Sequence, residues 1–176
     1  MAAAIEPGPW LCHVSGATRV RALAPHARRF GLHPLQTFQV GLGPTQLDGA
    51  WGALTAETTE AREAGLALAA LLGLTAFDLA DEGRPAYHAG AVMASGFLTT
   101  LHGAAAALVE TAGAPREALE PLMRRTMENG FLPTGPHVRG DRETIDAHLA
   151  AIRELAPELE RLYLALGEAT ERLLRT

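Results

Sequence analysis

The chain has 176 residues and a mass of 18.6 kDa, which is enough to bury a sizeable core. Its 48% hydrophobic and 20% charged residues exclude an intrinsically disordered protein, and its formal net charge of −5 argues against a nucleic-acid-binding protein. All 15 cationic residues are arginine, which excludes Schiff-base chemistry. The single cysteine, Cys12, excludes a disulfide scaffold and a cysteine-based zinc site, and it predicts a cytoplasmic protein.

Short strands, turns and one helix alternate over the first 81 residues. We predict strands where apolar residues run together, at residues 10–14, 30–32, 51–57 and 75–79, with a short helix or turn over 20–30. The run at 30–32 stops before His33 and Pro34. A helix is predicted over 58–72, capped by Thr58 or Thr59 and ended by Gly73. This strand–helix–strand rhythm is typical of an open α/β sheet.

Helical spacing of apolar residues dominates from about residue 83. Helices are predicted at about 85–112, 115–129 and 142–155 and from 159 to the C-terminus, with a loop over 132–140. Asp141 can cap the third helix, and Pro157 breaks or kinks the chain after it. Residues 86–109 carry no charge and are long enough to cross a bilayer. Their Tyr, His, Ser, Thr and Ala content favours instead a helix buried on most sides, with no membrane contact.

His33 is a candidate for contact with a ligand. It follows a predicted strand and precedes Pro34, which keeps its backbone extended. Ligands of open α/β sheets bind beyond the carboxyl ends of strands, so His33 could act as an acid or hydrogen-bond donor to a carbonyl group. Gln36 and Thr37 add neutral donors. The alternative is that these side chains satisfy the backbone of a buried loop.

A second polar group, His13, Ser15 and Gly16, follows the first predicted strand. Pairing of serine with histidine suggests a hydrolase, but the chain has no Gly-x-Ser-x-Gly nucleophile elbow. A structural transition from strand to turn is therefore the default interpretation.

Tyr87 and His88 open the predicted long helix, and the spacing of His88 and Ser95 places both on one face, where they can point into a cleft or pack in a core. We expect no metal site, because His88, His102 and His148 would have to be brought together by the helical bundle.

In the predicted loop over 132–140, Arg139 could anchor a substrate carboxylate or pair with Asp141.

Several segments together carry a resemblance to a known family. They are Cys12 to Ala17, His33 to Phe38, Tyr87 to Ala89, Ser95, Thr134 to Pro136 and Arg139 to Asp141, together with Asn129, His148 and Tyr163. Over residues 10–170 the chain resembles Rossmann-like proteins with a C-terminal domain of unknown function. These are distant relatives of the β-hydroxyacid dehydrogenases, ketopantoate reductase and 6-phosphogluconate dehydrogenase. The resemblance implies that residues 1–81 are the C-terminal part of a Rossmann-like α/β domain. It implies that residues 82–176 form a helical dimerisation domain resembling the C-terminal domain of 6-phosphogluconate dehydrogenase.

The chain departs from that family at its nucleotide site and at one catalytic position. The nearest string to a Gly-x-Gly-x-x-Gly fingerprint, residues 41–46, ends in Gln46 and has Pro44 where a helix N-terminus would donate N–H groups. The chain has no lysine, which the wider superfamily commonly uses beside the nicotinamide, and Ser95 is followed by Gly96 where the family tends to have Ser-Asn. We therefore expect this chain alone to bind NAD or NADP weakly or not at all, and to be inactive by itself.

Two functions remain open at this point. The resemblance implies the C-terminal portion of an NAD(P)-dependent oxidoreductase acting on a small 2-oxo or hydroxy acid, and the alternative is a non-catalytic dimerisation and small-ligand-binding module. Under either, a homodimer is expected, because the charge-free helix has small residues at Gly90, Ala94, Gly103 and Ala107. The candidate catalytic residues are His33, His88 and Ser95. The candidate residues for binding a small carboxylate are His13, Ser15, Gln36, Thr37, Tyr87, Asn129 and Arg139.

Overall fold

The computed structural model describes residues 8–175. Internal contacts divide the chain into two compact units, of which one ends at Phe97 and the other begins at Leu98. The first unit therefore contains the whole sheet and also the first long helix, which lies beyond residue 81.

Four strands form one sheet in the first unit. They are β1 (Leu11–His13), β2 (Arg29–Leu35), β3 (Trp51–Ala56) and β4 (Thr75–Asp78), and they lie side by side in chain order. β1 runs parallel to β2 and β3 parallel to β4, whereas β2 and β3 are antiparallel. The carboxyl ends of β1 and β2 therefore lie at one end of the strands, and the carboxyl ends of β3 and β4 lie at the other end.

β2 continues beyond the point at which the sequence predicts that it stops. The strand runs through His33 and Pro34 and ends at Leu35. β1 pairs with β2 only as far as Gly31, so the rest of β2 has an edge that no described strand covers. Proline is tolerated in strands at such an edge because its missing N–H group is not needed for a ladder hydrogen bond. The predicted strand end was wrong, and His33 lies within β2.

Helix α1 (Thr59–Leu71) packs against the sheet and forms the core of the first unit. The hydroxyl of Thr58 accepts a hydrogen bond from the backbone N–H of Ala61 at 3.1 Å, which confirms the predicted N-cap. Phe30, Leu32 and Leu54 are buried beneath the helix. At Gly65 a Cβ atom would overlap Leu54, so glycine allows the helix to approach the sheet closely.

The predicted helix over 85–112 consists of two helices, α2 (Arg84–Ala94) and α3 (Gly96–Thr111). Ser95 lies between them, and the following Gly96 is a weak helix former, which explains the break. Over its most apolar 18 residues, the stretch Asp81–Thr111 has a mean hydropathy of 1.5, but only 6% of that window is buried. The expectation of a helix buried on most sides therefore differs from the structure. By length and composition alone, this stretch could cross a membrane, a property that it shares with the core helices of soluble proteins.

The second unit is helical. It contains α3 from Leu98 onward, and α4 (Leu119–Glu128), α5 (Pro136–Arg139), α6 (Arg142–Leu155) and α7 (Glu160–Leu173). The predicted loop over 132–140 thus includes one helical turn, α5. Asp141 caps α6 as predicted, because its Oδ1 atom accepts a hydrogen bond from the backbone N–H of Thr144 at 3.1 Å. The predicted fold class, a partial α/β sheet followed by helices, is confirmed.

Candidate functional site

A cleft with a volume of ≈ 200 Å³ lies in the first unit between the carboxyl-terminal half of β2 and helix α2. The structure brings the three predicted catalytic residues together in its wall, and no acidic side chain lines it. The lining residues are His33, Leu35, Gln36, His88, Ala91, Val92, Ser95 and Gly96. The catalytic roles of His33, His88 and Ser95 stay predictions.

His33 makes a short polar contact beside the cleft. Its Nδ1 atom lies 2.6 Å from the hydroxyl oxygen of Tyr87, and the two rings meet edge to face with centroids 5.5 Å apart. The ring of His88 also lies beside that of His33, with a centroid distance of 6.2 Å and an interplanar angle of 75°. His33 thus packs against two side chains of α2.

The turn that follows β1 forms the floor beneath these rings. A Cβ atom at Gly16 would lie 2.6 Å from Cδ2 of His88 and 3.0 Å from Nε2 of His33. Real Cβ atoms do not approach other atoms to 2.6 Å, and a distance of 3.0 Å is tighter than most such contacts, so both imidazoles pack closely on the glycine backbone. Cε1 and Nε2 of His33 both lie 3.0 Å from that Cβ position, so this edge of the ring faces Gly16.

Arg84, the first residue of α2, is fully buried and connects the turn to the sheet. Its guanidinium donates to the carbonyl oxygen of Ser15 at 2.9 Å and to the hydroxyl of Thr55 at 2.8 Å. It also forms an ion pair with Asp81, whose carboxylate accepts the backbone N–H of Val20. Our sequence reasoning missed this residue, although the i,i+3 spacing of Asp81 and Arg84 could have indicated the pair.

His13, the last residue of β1, lies next to the buried guanidinium. Its Nδ1 atom accepts a hydrogen bond from the backbone N–H of Ser15 at 3.3 Å, and its Nε2 atom is buried without a partner in the part of the chain that the structure describes. Burial lowers the pKa of His13, and the charge of Arg84 lowers it further, while Asp81 opposes the change. His13 therefore supports the turn under the cleft and does not line it.

Two ionisable groups at the cleft, His33 and Tyr87, favour their neutral forms. Burial lowers the pKa of His33, and electrostatic interactions with His88, Arg84 and His13 lower it further. Burial raises the pKa of Tyr87, with a smaller opposing effect of Arg84. At neutral pH the contact between His33 and Tyr87 therefore joins an uncharged imidazole to an uncharged phenol.

The other strand-end residues have local partners. The hydroxyl of Ser15 accepts the backbone N–H of Thr18 at 3.1 Å, and the side-chain oxygen of Gln36 accepts the backbone N–H of Thr37 at 2.9 Å. Of these residues, only Gln36 lines the cleft. Ser15 and Gln36 thus bind the backbone of their own loops, as the structural interpretation of these residues predicts. Their contact with a ligand stays a prediction.

Asn129 and Arg139 belong to the second unit. Asn129 is an exposed residue at the end of α4, and Arg139 is the last residue of α5, with 63% of its side chain exposed. Its Nη2 atom lies 3.8 Å from Oδ2 of Asp141, a long ion pair that does not immobilise the guanidinium. Participation of Asn129 and Arg139 in ligand binding stays a prediction.

A larger cavity of ≈ 420 Å³ lies at the other end of the strands, near the carboxyl ends of β3 and β4. Its walls carry several acidic side chains that already have arginine partners. Arg29 pairs with Glu57, Arg62 with Asp78 and Arg84 with Asp81. We therefore assign the candidate site to the cleft at His33.

The described residues do not fit a dinucleotide or a metal ion. The string 41–46 lies in the exposed loop between β2 and β3 and leads into a single 3₁₀ turn, Pro44–Leu47. This string is therefore not followed by an α-helix whose N-terminus could bind the phosphates of a dinucleotide. The connection from β3 to α1 contains Glu57 and Thr58 and no glycine. Among residues 8–175, no three histidine, cysteine or acidic side chains form a group that could hold a metal ion.

Two solved structures share the fold. One is a protein from Bacteroides fragilis that is provisionally named an NADP oxidoreductase, with a TM-score of 0.76 and 24% sequence identity over 92% of this chain. The chain spans 64% of the length of that protein. The other is a protein from Thermotoga maritima, with a TM-score of 0.73 and 21% sequence identity over 95% of this chain. This chain spans 70% of the length of the Thermotoga maritima protein. The sheet and helices are therefore part of a Rossmann-like fold with a helical extension.

The curated proteins contain no match to this chain. One family model, described as a domain of unknown function, DUF2520, matches residues 50–170. The matched segment covers more than half of the chain and includes α2 with its cleft residues. The chain belongs to the DUF2520 family.

Proposed function

We propose that this chain forms the substrate-binding part of an NAD(P)-dependent oxidoreductase that acts on a small 2-oxo or hydroxy acid. The observation that carries the proposal is the cleft in which His33 and His88 face one another, with Arg84 behind them and no acidic side chain in the lining. Such a site favours a ligand whose oxygen atoms accept hydrogen bonds, and no acidic side chain in its lining would repel a carboxylate.

The dimensions and walls of the cleft favour a small organic acid. A volume of ≈ 200 Å³ is below the usual size of a site for a drug-sized ligand. The imidazoles and Gln36 offer polar contacts on one side, while Leu35, Ala91 and Val92 offer apolar contacts to a short carbon skeleton. An oxo or hydroxyl group beside a carboxylate matches this division of the walls.

The oxidoreductase assignment is supported by the shared fold and by the provisional name of the Bacteroides fragilis protein. Because the described residues do not fit the pyrophosphate of a dinucleotide, NAD or NADP would be held by residues other than these. The chain spans 64% of the length of that protein, which leaves room for such residues in a longer polypeptide or a partner. The non-catalytic ligand-binding module is the alternative outcome.

Ligand binding can be tested directly on this chain. We expect 2-oxo acids of three to five carbons to shift the histidine ring signals of His33 and His88 in NMR titrations, and the corresponding neutral ketones to have no effect. His33→Gln should weaken binding at least about tenfold, as expected for loss of a hydrogen bond to a charged group. His148→Gln, in the second unit, is the matched control and should bind normally. Absence of any shift at His33 and His88 would contradict the proposed site.

The choice between enzyme and module needs a second observation. An in-frame segment encoding a Gly-rich strand–turn–helix unit upstream of Met1 would support the oxidoreductase. A chain that binds the acid but has no such segment and no NADPH-oxidising partner would support the non-catalytic module.

A further inference from the structure

Two histidine–tyrosine pairs with the same geometry occur in the chain. In the cleft, Nδ1 of His33 lies 2.6 Å from the hydroxyl oxygen of Tyr87, with rings at 85°. In the second unit, Nδ1 of His148 lies 2.7 Å from the hydroxyl oxygen of Tyr163, with rings at 87°. The second pair lies beside one further histidine, His137, whose ring centroid is 5.7 Å from that of Tyr163. Of the two pairs, the one in the cleft lies beside the buried Arg84, so the second pair is a control for the first.

The contact in the cleft has two possible proton arrangements. A neutral imidazole has one N–H group, so Nδ1 of His33 either accepts the hydroxyl proton of Tyr87 or donates its own. An unprotonated imidazole nitrogen is a better acceptor than a phenol oxygen, and a phenol is a good donor. The arrangement in which Tyr87 donates to Nδ1 is therefore favoured, and it places the imidazole proton of His33 on Nε2.

The surroundings of His33 do not favour a doubly protonated ring. The charged or titratable groups that face it are His88 and Arg84 of α2 and His13 of β1, and each disfavours a further positive charge. The acid that pairs with Arg84, Asp81, is bound by that guanidinium and by the backbone N–H of Val20. No carboxylate among the described residues forms a hydrogen bond with His33 that would stabilise an imidazolium.

We propose that Tyr87 is a positioning residue that holds His33 in the Nε2–H tautomer, so that Nε2 donates a hydrogen bond to an oxygen atom of the bound acid. This role rests on the proposed function and differs from direct contact of Tyr87 with substrate, because its hydroxyl is occupied by His33. Nε2 lies on the edge of the ring that faces Gly16, and the His33 side chain lines the cleft. A neutral donor at this place favours a carbonyl or carboxylate oxygen, and it cannot act as a general base.

The tautomer can be measured without any ligand by ¹⁵N NMR of the histidine rings. In the wild-type protein at slightly alkaline pH, we expect Nδ1 of His33 to show the shift of an acceptor nitrogen and Nε2 that of an N–H nitrogen. In Tyr87→Phe, the two shifts should move toward averaged values, because both tautomers become populated. Tyr163→Phe should change the shifts of His148 and leave those of His33 unaltered.

Each outcome decides the proposal. An Nδ1–H or doubly protonated His33 in the wild type would overturn it, as would an unchanged tautomer in Tyr87→Phe. If the cleft binds 2-oxo acids, Tyr87→Phe should weaken binding by about five- to tenfold, and unchanged affinity would overturn the link to the ligand. Because the tautomer is measured in the free protein, its failure can be distinguished from failure of the proposed function.

Discussion

The backbone of Gly16 lies so close to two imidazole rings that no side chain fits between them. The position that a Cβ atom would take is 2.6 Å from His88 and 3.0 Å from His33. The arrangement of the two rings therefore depends on the residue type at Gly16 as much as on the histidines themselves. Sequence reasoning placed Gly16 in a turn, but it could not show which side chains pack on it, since α2 is far away along the chain.

Gly16→Ala should displace His33 or His88 and so damage the cleft. We expect changed histidine ring signals and at least about tenfold weaker binding of a 2-oxo acid, the equivalent of one lost hydrogen bond to a charged group. Gly103→Ala in α3 is the control for the cleft, because a Cβ atom there meets nothing within 4 Å in one copy of the chain. Gly103 belongs to the predicted dimer contact, so sedimentation of this variant is compared with that of the wild type. Gly103→Ala should leave the ring signals intact and stabilise the helix by about 0.5–1 kcal/mol. Unaltered ring signals in Gly16→Ala would show that the rings can move aside without consequence.

Among the elements, the turn after β1, strand β3 and helix α2 are joined through one side chain. Arg84 donates to the carbonyl of Ser15 and the hydroxyl of Thr55 and pairs with Asp81. A fully buried guanidinium is costly unless all its donors are used, so these partners explain why it is tolerated. The network fixes the first turn of α2, and with it Tyr87 and His88, relative to the sheet.

Arg84→Met should destabilise the first unit strongly. Removing one partner of a buried ion pair leaves the other unpaired, and we expect a loss of about 3–5 kcal/mol in the free energy of unfolding. Both tryptophans, Trp10 and Trp51, lie in this unit, so fluorescence-detected urea unfolding reports on it. Arg62→Met, which removes an exposed pair with Asp78, is the control and should have a far smaller effect. Equal stability of the two variants would show that the network does not hold α2 in place.

The element boundaries show what local sequence determines. Thr58 caps α1 and Asp141 caps α6 as predicted, because a cap depends on residues only three positions apart. The prediction of the end of β2 was wrong because a proline is tolerated in a strand where the neighbouring strand has ceased to pair. The point at which β1 ceases to pair with β2 depends on the whole sheet and not on the residues next to Pro34. Within the cleft, the spacing of His88 and Ser95 indicated that they share one face of a helix. The contact between His33 and Tyr87 depends on tertiary packing between distant parts of the chain, and so does the burial of Arg84.

At the scale of the whole molecule, the most apolar stretch of the chain is also among the least buried. Asp81–Thr111 has only 6% of its apolar window buried, and the side chains of Met93 and Phe97 are 65% and 59% exposed. Soluble monomers rarely expose a continuous surface of this kind. Most soluble oligomers are symmetric assemblies of one chain, in which the same patch of each copy is covered by its equivalent. We therefore keep the predicted homodimer as the explanation of this surface.

A single charge in the apolar surface should separate the two copies. Phe97→Glu would place an unpaired carboxylate in an interface that in stable dimers buries about 2,000 Å² or more, and we expect the dimer dissociation constant to rise by at least about 100-fold. Phe38→Glu is the matched control, because Phe38 is similarly exposed, at 54%, in the loop between β2 and β3. Sedimentation at micromolar concentration should show a dimer for the wild type and for Phe38→Glu, and a monomer for Phe97→Glu. A monomeric wild type would contradict the homodimer. A dimer that persists in Phe97→Glu and dissociates in Phe38→Glu would instead assign the interface to the loop.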